Sequence, residues 1–157
     1  MNPKETSNSV EIINHYLPHR VPMLMVDSVL EIDDEKVITV FEIKTGNIFL
    51  QKKFFIEAGL IENMAQTCSM IVAKDYFIDE NKEDKPDVDV IGFISAIKTL
   101  KIHSLPQVDS VINTRAQLVS KFISESYSLC TIKCKTFNAD ELLVEGEMTL
   151  FIQNNNS

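Results

Sequence analysis

Cysteine is scarce in this 157-residue chain, which holds Cys68, Cys130 and Cys134 and no others. Cys130 and Cys134 are four positions apart in a segment that reads as a strand. Their Cα atoms would then lie about 13 Å apart along it, too far for a disulfide. No His, Asp or Glu stands between Thr131 and Asn138 to join them in a metal site. Free thiols in a reducing compartment are the expectation, with no metal and no cofactor. Long apolar runs are absent, and none approaches a membrane span. The start of the chain, "MNPKETSNSVE", is polar and acid-bearing, unlike a secretory leader. A cytoplasmic location is therefore expected. Positive charge is also short: 15 Lys and Arg against 23 Asp and Glu leave a net charge of −8. That balance argues against nonspecific nucleic-acid binding. What remains is an ordinary composition, 45% hydrophobic, in a length that suits one domain with a real core.

Along the chain, residues 1–8 are polar and expected to be frayed, residues 9–153 form the domain, and 154–157 form a flexible tail. "SVEIINHY" suits a short helix with Ser9 as its N-cap, ending at Pro18. "PMLMVDSVLEID" and "EKVITVFEIK" read as a hairpin turning at Asp33–Asp34. "GNIFLQKKFFIEAG" reads as a loop. Residues 60–77, "LIENMAQTCSMIVAKDYF", contain no Pro or Gly and are apolar almost all round, so this helix must be sheathed by other elements. After an acidic loop come four strand-like segments joined by short turns. The expected class is α+β, a curved antiparallel sheet wrapped around one long helix. Such a sheet leaves an edge open, and pairing between chains would protect it.

Several residues invite a functional reading. Glu62 is a carboxylate on an apolar helix, costly unless paired or used; it also sits near the helix start, where the dipole favours an acid. Glu57 reads as a cap residue. Gln66 follows Glu62 by four and shares its face. His19, between Pro18 and Arg20, reads as a structural residue unless it meets Glu62. His15 and His103 read as boundary or surface residues. Local basic patches could come from Lys52 and Lys53, from Lys98 and Lys101, or from Lys121, Lys133 and Lys135. Lys98 and Lys101, three apart, would face opposite sides of a regular strand.

Two segments carry a family resemblance. "LPHRVPMLMVDSVLEID" at 17–33 and "IENMAQ" at 61–66 resemble the β-hydroxyacyl-acyl-carrier-protein dehydratases of the FabA/FabZ type, which have the hotdog fold. The resemblance runs over roughly residues 10–152 and implies a dimer acting on acyl-phosphopantetheine held by an acyl carrier protein. It also implies a histidine before the central helix and an acid on it, contributed by opposite chains. Glu62 falls on the acid. Gly59 falls where the family lets backbone N–H groups approach the thioester carbonyl, and Gln66 matches the family glutamine. The histidine has no counterpart. In "FLQKKFFIEAGLIE" its place is taken by Lys53 or, counted without a gap, by Ile48. This departure is similar to the branch associated with aryl-polyene and flexirubin-type pigment clusters, where a partner hotdog subunit is active. The expectation is a dehydratase-like subunit that is catalytically impaired alone, in a homodimer or heterodimer. The alternatives are an active dehydratase recruiting His19 with Glu62, a thioesterase in which Glu62 activates water, or a binding module whose tunnel is filled by Met64, Met70 and Phe54.

Overall fold

The computed structural model describes residues 3–154 apart from 78, 80, 82, 84, 86 and 87. The acidic loop of the sequence therefore lies partly outside the described residues.

Helix α1 spans Pro3–Tyr16. It begins six residues before the expected Ser9 cap, so the segment expected to fray is helical from Pro3. Ser9 lies inside the helix, buried, and its hydroxyl donates to Val29 O at 3.1 Å. Its role is to tie α1 to the first strand. The chain then crosses to β1 (Ser28–Ile32), which pairs antiparallel with β2 (Lys36–Glu42). The expected turn is present: Asp33 Oδ1 accepts the backbone N–H groups of Glu35 and Lys36. The "PMLMVD" part of the expected first strand is not in the sheet. Arg20 to Leu24 turn instead, with the N–H groups of Met23 and Leu24 both donating to Arg20 O.

The expected loop at 46–59 contains a small hairpin of β3 (Leu50–Gln51) and β4 (Phe54–Phe55). Helix α2 spans Glu57–Phe77 and packs its buried residues across the sheet. Four long strands follow: β5 (Val90–Ile102), β6 (Val111–Ile123), β7 (Tyr127–Asn138) and β8 (Glu141–Asn154). The six-stranded sheet runs in the order β1-β2-β6-β7-β8-β5, antiparallel throughout. Register shifts in β6–β7 and twice in β5–β8 bend it around α2.

One face of the sheet supplies the core. Ile112, Ala116, Cys130, Ile132, Val144 and Met148 meet Leu60, Met64, Cys68 and Ile71 of α2, all at 3% exposure or less. The sheet has two edge strands, β1, against which α1 packs, and β5. The β5 edge is long, and it exposes Ile91, Phe93 and Ile97.

A polar chain runs through this core. Asn63 Nδ2 donates to Met25 O, and Asn63 Oδ1 accepts from the Thr114 hydroxyl. Thr114 in turn bonds Thr136, while Thr67 bonds both Asn63 O and Thr39. Because every member has a partner, the network fixes the rotation of α2 over the sheet without an uncompensated polar group.

Candidate active site

With α2 so rotated, residues 62, 65, 66, 69 and 73 share the face turned towards β5 and β8. They line a cavity of about 300 Å³. Tyr16, Pro18 and His19 form one wall, and Val90 to Ile94 with Leu150 and Ile152 form the other, Ile91 excepted. Two of the candidate residues therefore face it beside Glu62: Gln66 and His19.

Gln66 is the hub. It is 2% exposed, and its Nε2 donates to Glu62 Oε1 at 2.7 Å and to Met23 O at 2.8 Å. Its Oε1 accepts the Met25 N–H at 2.8 Å. One side chain thus holds the carboxylate, one helical turn away, and the crossing between α1 and β1. A hydrogen bond to an ionised carboxylate is among the stronger kinds. His19 Nε2 lies 3.6 Å from Glu62 Oε1, and both side chains are partly exposed. Among the described residues, His19 Nδ1 is buried with no hydrogen-bond partner. The backbone that carries His19 is clamped by Arg20, whose Nη1 donates to Leu17 O and His19 O, each at 2.7 Å. Sequence reasoning assigned no role to Arg20 or to Asn63. A polar residue inside the apolar run of α2 was the available signal for Asn63.

Gly59 and Lys53 stand elsewhere. Gly59 is buried at the start of α2, and its N–H donates to Ile56 O. A Cβ there would lie 2.5 Å from the Phe55 ring and 2.7 Å from Phe49 Cβ, so the position needs glycine for close packing. Lys53 sits in the turn of the β3–β4 hairpin, exposed, with its ammonium 5.6 Å over the Phe54 ring. Ile48 is 47% exposed. Neither Lys53 nor Ile48 lines the cavity. Glu57 occupies the first turn of α2. Met64 and Met70 are fully buried in the core and Phe54 is exposed, so the three do not fill the cavity as the binding-module alternative required.

The other histidines and the lysines are dispersed. His15 packs against the rings of Tyr16 and Phe77. His103 hydrogen-bonds Glu145, which, with Lys135 nearby, lowers that carboxyl below its ordinary range. Lys121 pairs with Asp75 of α2. Lys98 and Lys101 lie on the same side of β5, not on opposite sides: the shift between Ile97 and Thr99 turns Lys98 towards Glu147, 3.4 Å away. On the sheet face turned away from α2, Lys36, Lys101, Arg115, Lys133 and Lys135 surround a groove of about 810 Å³, interrupted by Glu145 and Glu147. The sheet separates this groove from the Glu62 cavity.

Among the described residues no group of three or more His, Cys, Asp or Glu side chains could hold a metal ion. The three cysteines are buried and free. A hydrogen bond with Cys134, followed by burial, pushes the Cys68 thiol well above its ordinary value, and burial raises Cys130. They are core packing rather than nucleophiles. Among the described residues no helix is long and apolar enough to cross a membrane.

A long helix clasped by a curved antiparallel sheet, with an acid on its cavity face, is the hotdog arrangement. The ApeP-like family, described as ApeP dehydratase, matches residues 11–157, and the chain belongs to this FabZ-like dehydratase family. Among curated relatives, the 3-hydroxyacyl-[acyl-carrier-protein] dehydratase FabZ of Rickettsia canadensis is 30% identical over 155 residues, covering 91% of this chain and 95% of that protein. The FabZ of Petrotoga mobilis is 38% identical over 78 residues, 46% of this chain and 55% of that protein, so that match spans about half of each. Among solved structures, the dehydratase heterocomplex ApeI:P from Xenorhabdus doucetiae superposes with a TM-score of 0.74 at 19% identity, over 92% of both chains. A hypothetical thioesterase with coenzyme A from Streptococcus pneumoniae gives 0.59 at 10% identity, over 81% of this chain and 85% of that one. At these identities the structural likeness speaks for the fold.

Proposed function

We propose that this chain is a dehydratase-like subunit that handles β-hydroxyacyl groups on acyl carrier protein in the cytoplasm. In this reading it is impaired alone and works as half of a pair with an active hotdog partner. The observation that carries the reading is the separation of two features. Glu62 is held by Gln66 in an acyl-sized cavity, while the hairpin where the resemblance expects a histidine, to serve the acid of a second chain, carries an exposed Lys53 at its turn.

Dehydration needs a base for the α-proton and an acid for the departing hydroxyl. Glu62 supplies one of the two groups. The cavity is lined by β5, an edge strand of the sheet, so a partner strand laid against β5 would stand beside Glu62 and could bring the missing histidine. The ApeI:P assembly in a relative of this fold is consistent with such a pair.

The test is to purify the chain alone and with a candidate hotdog partner from the same genome, then follow formation of the 2-enoyl product from a 3-hydroxyacyl carrier protein. Activity is expected in the mixture, and Glu62→Gln in this chain should reduce it at least about a hundredfold, as for loss of a proton-transfer group. Full activity of the isolated chain would overturn the impaired-subunit reading.

One observation favours a second reading. The 3.6 Å approach of His19 Nε2 to Glu62 makes a candidate dyad within one chain. In that case the isolated chain would dehydrate or hydrolyse acyl thioesters, and His19→Ala and Glu62→Gln would each abolish the activity.

A further inference from the structure

The cavity beside Glu62 has a direction. Its polar groups, Glu62 and His19, stand together, and the α2 residues that continue the lining are Ala65, Ser69 and Ala73. Ser69 donates its hydroxyl proton back to Gln66 O, so it offers the cavity no donor, and its neighbours on that wall are alanines. From Glu62 to Ala73 the lining covers eleven helical steps, about 16 Å. The end of α1 runs beside it in the opposite sense: His19 faces Glu62, while the Tyr16 ring stands 6.1 Å from that of Phe77 near the end of α2. Across the cavity, Gly92 of β5 pairs with Ile152 of β8 and adds no side chain of its own.

We propose that Ala73 and Gly92 are specificity-determining residues that set how long an acyl chain this subunit accepts, with the reacting carbons at Glu62 and the tail running along α2 towards Tyr16. The inference rests on the acyl-handling reading above. Backbone geometry corresponds to about 1.2 Å per bond in an extended chain, so 16 Å takes roughly a dozen bonds. A larger side chain at position 73 or 92 shortens the channel from its far end and leaves the Glu62 end unchanged. Gly92 is suited to the test, because a Cβ there would meet Ile152 at an ordinary 3.6 Å.

The experiment measures calorimetric binding of pantetheine amides of 3-hydroxybutanoic, 3-hydroxyoctanoic and 3-hydroxydodecanoic acid to the full chain and to Ala73→Leu and Gly92→Val. Folding of each variant is checked by circular dichroism. For the unchanged chain, each methylene buried should add roughly fourfold in affinity. In either variant, dodecanoyl binding should fall by roughly fiftyfold, the equivalent of three methylenes, while butanoyl binding stays within about twofold. If Ala73→Leu does not fold, Gly92→Val decides the matter alone. Equal losses for short and long chains, or no loss for the long one, would overturn this inference and leave the acyl-handling reading standing. Failure of the unchanged chain to bind any of the three would overturn both.

Discussion

Gln66 and Glu62 are joined by a 2.7 Å hydrogen bond from amide to carboxylate across one turn of α2. The same amide group also bonds the backbone at Met23 and Met25, on the far side of the cavity wall. Carboxylate placement and the course of the α1–β1 crossing are therefore one structural problem with one solution.

Replacing Gln66 by Leu should cost about 2–3 kcal/mol, since it strands the buried Met25 N–H and removes three hydrogen bonds at once. Urea unfolding of the variant against the unchanged chain measures it. A loss below about 0.5 kcal/mol would mean that the crossing is held by Arg20 and Asn63 instead.

Lys53 lies in an exposed turn, so Lys53→Ala should change stability by less than about 0.5 kcal/mol. More tellingly, Lys53→His diluted to the monomer should show no dehydratase activity, because the hairpin keeps position 53 away from the Glu62 cavity of its own chain. Enoyl-product formation by that variant, followed by ultraviolet absorbance, would contradict the placement.

At Gly59 two effects oppose. Alanine gains about 1 kcal/mol in helix propensity. Its Cβ, however, would lie 2.5 Å from the ring of Phe55, a side chain with no exposure and so no room to move. Overpacking of this kind typically costs about 1–3 kcal/mol, so the clash wins and Gly59→Ala should be destabilised. Thermal unfolding gives the sign.

The Cys68 thiol is held protonated by its bond with Cys134 and by burial. Its folded pKa is raised above the unfolded value. The associated stability is therefore fully present below the ordinary thiol value of 9.0 and is lost as the pH rises from there towards the folded value. Stability should fall on the alkaline side of that value, and less steeply in Cys68→Ala. Native chain should resist thiol reagents at neutral pH until unfolded, which a timed labelling assay with and without urea would show.

Much of the architecture was legible because it rests on local patterns. The apolar run from Leu60 to Phe77 demanded a sheath, and the period-two strands after residue 90 supplied it. Asp33 turned the first hairpin because its carboxylate satisfies two backbone donors only a few residues away. Less was legible where the pattern was interrupted by distant contacts. Ser9 looked like a cap because Ser suits that place, but its hydroxyl is taken by Val29, twenty residues on. Lys98 and Lys101 looked opposed because a regular strand alternates, and a bulge against β8 broke the alternation.

By itself the sequence determined the helix, the strands, the family and the missing histidine, since each is written in residue identity and short spacing. Only the tertiary structure decided which side chains meet. Gln66 reaches Glu62 along the helix, but it reaches Met23 and Met25 only because the Asn63–Thr114 network sets the rotation of α2. His19 stands 3.6 Å from Glu62, and Lys53 stands apart from the cavity in the β3–β4 turn. Long-range packing and hydrogen bonding choose one orientation for each element, and no spacing along the chain encodes that choice.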